Sequence, residues 1–128
     1  MLRDARVARL GLLDDNDAPR VLPVTFVLHG GALFSAIDDK PKQAGEPARI
    51  RFLQRRPEAA LTVDRYEDDW SMLAWVQVLG RVEILPVTAE PEAVEALRSK
   101  YPQYRTRSPS GPLLRLVPGR ALCWSASG

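Results

Sequence analysis

The sequence predicts a mainly β domain, a barrel of about six strands with two or three short helices on its outside. Three observations predict it. Short runs of β-branched and apolar residues recur along the chain. Dense turn signals such as Asp14-Asp15-Asn16-Asp17-Ala18-Pro19 and His29-Gly30-Gly31 separate them. Helical periodicity is confined to a few brief stretches.

The elements read in order as follows. Charges at a helical period over residues 3–9, with Leu2, Ala5 and Ala8-Arg9 on one face, suggest a short N-terminal helix. An apolar run from Arg9 to Leu13, the acidic turn, and a second run from Arg20 to Leu28 read as a hairpin. The second run is β-branched and apolar on both faces, as expected of a strand buried on both sides. Pro23 removes one ladder donor, which places it at an edge, a bulge or a ligand. Ala32–Ile37 forms the next strand. Asp39 to Pro47 is a loop by composition, and Ala48 to Arg56 a helix that Pro57 ends. Ala60–Tyr66 and Trp70–Leu85 read as long strands joined by an acidic turn. A helix follows from Glu90 to Leu97 with Pro91 just inside its start, then an irregular proline-rich stretch. The last strand, Leu113–Trp124, is bent by Pro118-Gly119. No repeat or linker divides residues 1–128, so a single domain is expected.

Composition narrows the function classes. Among 128 residues, 18 basic and 16 acidic side chains leave a net charge of +2. That is too small for a nucleic-acid footprint. No stretch approaches the ~20 apolar residues of a membrane span, and Met1-Leu2-Arg3-Asp4 lacks the apolar core of a signal peptide. A cytoplasmic protein without membrane or nucleic-acid partners is expected. The lone Cys123 excludes an intrachain disulfide and reads as a small apolar strand residue. His29 is the sole histidine and reads as a solvated turn residue, with no second imidazole to share a metal or a base role.

Motifs for nucleotide loops, zinc proteases and nucleophile elbows are absent. The acidic turn Glu67-Asp68-Asp69 reads as solvated rather than as a metal site. The informative arrangement is a strand, the loop Asp38-Asp39-Lys40-Pro41-Lys42, and a helix opening with Arg49 and Arg51. Cations leaving a strand end and entering the next helix can converge on one anion. The same spacing also suits a solvated basic loop and helix face. Trp70, Trp75 and Trp124 could wall a flat ring or fill a core.

Several segments together carry a resemblance. They are Arg20-Val21-Leu22-Pro23-Val24-Thr25-Phe26, then Phe34-Ser35-Ala36-Ile37-Asp38-Asp39-Lys40-Pro41-Lys42, and Asp64-Arg65-Tyr66-Glu67-Asp68-Asp69-Trp70. Trp75 with Gly80-Arg81-Val82 and Tyr101-Pro102-Gln103-Tyr104-Arg105 complete them. In this order, over nearly the whole chain, the sequence resembles the pyridoxamine-phosphate-oxidase-like split-barrel superfamily. More narrowly it resembles a branch predicted to use the deazaflavin coenzyme F-420. The resemblance implies a six-stranded, FMN-binding-like split barrel with short peripheral helices. It also implies a homodimer with two cofactor sites at its interface. Carried over, Lys40, Lys42 and Arg49 match basic residues that hold the cofactor phosphate. Val24, Thr25 and Phe26 match the strand beside the ring. Ala36, Ile37 and Asp38, which lead into the basic loop, and Trp75 complete the cofactor-binding candidates.

The resulting expectation is an oxidoreductase moving hydride between coenzyme F-420, or FMN, and a small organic substrate. The cofactor supplies the redox chemistry, so no catalytic side chain and no metal ligand are assigned. Two other classes stay open: a non-catalytic flavin or haem carrier or sensor on the same barrel, and a purely structural dimer.

Overall fold

The computed structural model describes residues 1–37 and 47–128. Strands β1 (Ala8–Leu13) and β2 (Pro19–Val24) form a hairpin, followed by β3 (Val27–His29), β4 (Ala32–Ala36) and helix α1 (Ala48–Arg55). Then come β5 (Glu58–Arg65), β6 (Ala74–Leu85), helices α2 (Pro91–Lys100) and α3 (Pro102–Thr106), and β7 (Leu113–Ser125). Among the described residues the strands make one seven-stranded antiparallel sheet in the order β2-β1-β5-β6-β7-β4-β3.

The seventh strand corrects the expected count of six, and it arises where the run Arg20 to Leu28 is cut in two. β2 and β3 are the outermost strands of the sheet, yet only Thr25 and Phe26 separate them in the chain. The sheet is therefore rolled, with its two edges facing each other across a split that the chain steps over at Thr25-Phe26. A local run of strand formers reports extended backbone, not which edge each half joins.

Inside the roll, Leu10, Val24, Leu33, Leu61, Val82 and Leu116 from six different strands surround a residual void of only about 10 Å³. Phe26 and, from α1, Ile50 and Leu53 are almost wholly buried in the same core. Burying one such side chain is worth roughly 1.5–3 kcal/mol. A second cluster packs Ala93, Leu97 and Tyr101 against Val27, Phe34, Ala36 and Leu113, so α2 covers the outside of β3 and β4.

Three local expectations are corrected. The N-terminal helix is a single turn, with the Ala5 amide donating to the Met1 carbonyl at 3.0 Å, because the chain enters β1 at Ala8 and pairs on both sides. The stretch read as irregular contains α3, opened by Pro102 in the first turn. β2 is not buried on both sides: as an edge strand it leaves Val21 68% exposed. Cys123 lies on β7 as expected but is exposed. Among the described residues no helix is long and apolar enough to cross a membrane.

The acidic turn and the basic helix meet. Asp14 Oδ1 accepts from the amides of Asn16 at 2.9 Å and Ala18 at 3.0 Å, closing the hairpin. Asp15 then pairs with Arg51 at 2.9 Å and Asp17 with Arg55 at 2.7 Å and Arg56 at 3.3 Å. The Arg55 guanidinium beside Asp17 holds its carboxyl below the ordinary value. This small contribution to stability is present above the ordinary carboxylate range and is lost as the pH falls through the lowered value.

The bend expected in β7 is a register irregularity opposite Gly80, which faces Pro118. A methyl group at Gly80 would collide with the Val117 backbone carbonyl, a neighbour that cannot swing aside as a side chain can. Gly80→Ala is expected to lower stability by about 1–3 kcal/mol or more, read as a lower urea midpoint with an unchanged slope.

Candidate functional site

Where the chain crosses between sheet edges, neither Thr25 nor Phe26 belongs to a strand, and side chains far away in sequence satisfy their backbone groups. Ser35 Oγ donates to the Thr25 carbonyl at 2.6 Å. The Phe26 amide donates to Tyr101 Oη at 3.1 Å. The Tyr101 hydroxyl in turn points between the carbonyls of Phe26 and Arg6, each at 3.0 Å. Lys100 Nζ donates to the Phe26 carbonyl at 2.9 Å, and Thr25 Oγ1 and Tyr104 Oη share a hydrogen bond of 2.8 Å. Burial pushes the Tyr101 phenol above its ordinary pKa. It stays a neutral donor and acceptor throughout the physiological range.

A cleft of about 210 Å³ opens at this crossing. Val24, Thr25, Ala36 and Arg49 line it, four of the residues singled out from the sequence. Among the described residues Val7, Pro23 and Ser35 also line it, and of these the sequence marks Pro23 alone, as a residue at an edge, a bulge or a ligand. Of these, Ser35 carried a legible signal: it is the one polar residue in the fully buried strand Ala32–Ala36, and such a residue needs a partner. Pro23 lies on the edge strand β2, the place in a sheet where proline is tolerated.

Arg49 enters from the first turn of α1, a turn that carries no acidic residue and no side-chain N-cap. Among the described residues its buried Nε has no hydrogen-bond partner. A buried guanidinium nitrogen left unpaired is costly, and an anion in the cleft would satisfy it. Arg51, by contrast, turns away to Asp15, as Arg55 and Arg56 turn to Asp17. Four arginines of one helical segment are thus divided between the cleft and the acidic hairpin.

The other sequence candidates lie elsewhere. Phe26 and Ile37 are buried in the core beside the cleft, 0% and 5% exposed, with Phe26 contributing backbone position rather than surface. Trp75 stands on the outer face of the sheet, opposite Asp64 on β5 and Trp124 on β7, and does not line the cleft of its own chain. Asp38, Lys40 and Lys42 fall outside the described residues. Among the described residues no group of three or more histidine, cysteine or acidic side chains could hold a metal ion.

Tyr101→Phe tests the crossing. It leaves the Phe26 amide without its acceptor while keeping the ring, and is expected to cost about 1–3 kcal/mol in chemical denaturation. An unchanged midpoint would show that water replaces the phenol.

No family model and no curated protein matches the chain. Solved structures do. An FAD-binding protein from Mesorhizobium loti superposes with a TM-score of 0.71 at 19% identity, over 95% of this chain and 87% of that one. A haem-binding protein from Mycobacterium smegmatis gives a TM-score of 0.73 at 19% identity, over 96% of this chain and 54% of that one. For a putative pyridoxamine 5'-phosphate oxidase from Listeria innocua the TM-score is 0.65 at 17% identity, over 93% and 88%. What they share with this chain is the fold, a rolled and split antiparallel sheet.

Proposed function

We propose that the cleft binds a flavin-type cofactor by its phosphate, and that the protein is an oxidoreductase acting on a small organic substrate. The observation that carries this reading is the unpaired buried Nε of Arg49 in a cleft at the crossing. Superposed split barrels described as FAD-binding or as a putative oxidase support it. Arg49 would hold the phosphate, joined by Lys40 and Lys42 from the segment that precedes α1. Val24, Thr25 and Ala36 supply the wall. When bound, such a cofactor carries hydride; the chain binds and orients it and keeps water from one side.

The cleft also sets a limit. Its 210 Å³ is below the roughly 300 Å³ at which ligand pockets begin, enough for a phosphate and part of its attached chain but not a whole flavin. A second copy of the chain supplies the missing surface in this reading. The outer face of the sheet is suited to that role. Val21 on β2 is 68% exposed and aligns in register with Gly11, Ala60 and Leu79, while Trp75 and the 47% exposed Trp124 form a cross-strand pair on the same face. Exposed apolar side chains of this kind, here on either side of the hydrogen-bonded Gln77–Thr62 pair, suit an interface. A homodimer is expected by sedimentation at micromolar concentration, and Val21→Glu should shift it toward monomer.

Between the two cofactors, the pairing of Arg51 with Asp15 favours FMN. It removes one cation that the acidic tail of coenzyme F-420 would need, whereas FMN ends in one compact phosphate. The sequence resemblance favours coenzyme F-420, and Lys40 and Lys42 are the cations that could serve its tail. Absorbance titrations with each cofactor at low and high salt decide between them, since tail recognition makes F-420 affinity the more salt-dependent. Arg49→Met should weaken binding roughly 10- to 100-fold, the worth of a desolvated charge-assisted hydrogen bond, with Arg55→Met as the control. Absence of binding to either cofactor at any salt concentration would remove the proposal.

A further inference from the structure

Lys100 ends α2 half-buried, its Nζ 2.9 Å from the Phe26 carbonyl, 3.9 Å from the centre of the Phe26 ring and 5.4 Å from that of Tyr101. The charged and titratable groups facing it are Arg6 and Asp4 from the N-terminal segment and Tyr101 from its own. Arg6 Nη2 donates to the Lys100 carbonyl at 2.9 Å, which holds a second cation close by. No carboxylate forms an ion pair with Lys100 among the described residues.

The two rings attract the ammonium, but its burial and the adjacent Arg6 oppose the charge, and a solvated lysine would end the helix without that cost. What it contacts gives the reason. The Phe26 carbonyl sits at the crossing, one residue from Thr25, whose side chain and carbonyl are held by Tyr104 and Ser35 at the cleft wall.

We infer that Lys100 is a positioning residue: its ammonium fixes the Phe26 carbonyl and through it the Thr25 wall of the cleft, so that losing its charge loosens the cleft. The consequence for ligand affinity rests on the function proposed above; the consequence for the crossing itself does not. Burial and the Arg6 charge bring the Lys100 pKa down from 10.5 to about 8, so the change of state falls within an accessible range. Deprotonation relieves the burial penalty and at the same time removes the charge assistance from the bond to Phe26. The two effects have opposite signs. A lysine whose pKa is lowered in the fold makes global stability rise between about pH 8 and 10.5, because the unfolded chain then binds more protons. Cleft affinity should fall over the same range, which separates a local loosening from general unfolding.

The experiment follows the backbone amide resonances of Thr25 and Phe26 in ligand-free protein comprising residues 1–128 from pH 6.5 to 9.5, with FMN titrations at the two ends. In the wild type both resonances should move with a common midpoint near pH 8, and FMN affinity should drop roughly three- to tenfold, the worth of one weakened hydrogen bond. In Lys100→Met the resonances should stay near their alkaline wild-type positions at every pH, and the affinity should be weak and pH-independent. Lys100→Arg keeps the charge and should abolish the midpoint while retaining more affinity than the methionine variant. Resonances that do not titrate, or that titrate alike in wild type and Lys100→Met, overturn the inference. So does an FMN affinity that is constant while the crossing moves. Failure of FMN to bind at any pH counts against the proposed function, while the resonances still decide the role of Lys100.

Discussion

The structure depends on two residues that belong to no strand. Thr25 and Phe26 carry the chain from one edge of the rolled sheet to the other, and their backbone groups must therefore find partners outside the ladder. Leaving such groups buried and unpaired would cost several kcal/mol in total. Ser35 from β4, Lys100 at the end of α2 and Tyr101 at the junction of α2 and α3 prevent this, while Tyr104 of α3 holds the Thr25 hydroxyl. Meanwhile the Phe26 side chain, fully buried, anchors the crossing in the barrel core. The cleft exists because a sheet that is split at this point leaves space between its edges.

Charge is distributed with the same economy. The basic residues gathered between Lys40 and Arg56 read from the sequence as one cationic patch, but Arg51, Arg55 and Arg56 neutralise the Asp14–Asp17 turn and so fasten the first hairpin to α1. The pairs are exposed, and each contributes little alone. Their effect on the site is selective: Arg49 is left as the member of the segment that turns to the cleft.

How much of this was legible depended on the range of the interaction that decides each feature. The hairpin turn at Asp14–Ala18, α1 and its stop before Pro57, and the bend at Pro118 were readable because local chemistry fixes them. Val24, Thr25, Ala36 and Arg49 could be grouped through the order of segments that the family resemblance supplied, and the structure places them around one cleft. The break at Thr25-Phe26 was not, because apolar, β-branched Val21–Leu28 is equally good for one long strand. What cuts it is pairing with β1 on one side and β4 on the other. The diversion of Arg51 to Asp15 was hidden for the same reason, since the partners lie 36 residues apart. The N-terminal helix failed where helical charge spacing competed with two neighbouring strands and lost.

The crossing also bears on the order in which the molecule assembles. Its partners on α2 and α3 lie 74 to 79 residues further along the chain, among the more distant pairings in a molecule whose hairpins close over far shorter loops. Loop closure of that length brings an entropic cost before any reward, so the local hairpins β1–β2, β5–β6 and β3–β4 can form well ahead of it. During synthesis, residues 25 and 26 emerge long before residues 100 to 104 exist to receive them. The cleft is thus expected late in folding, together with the β4–β7 pairing that spans a similar stretch of chain.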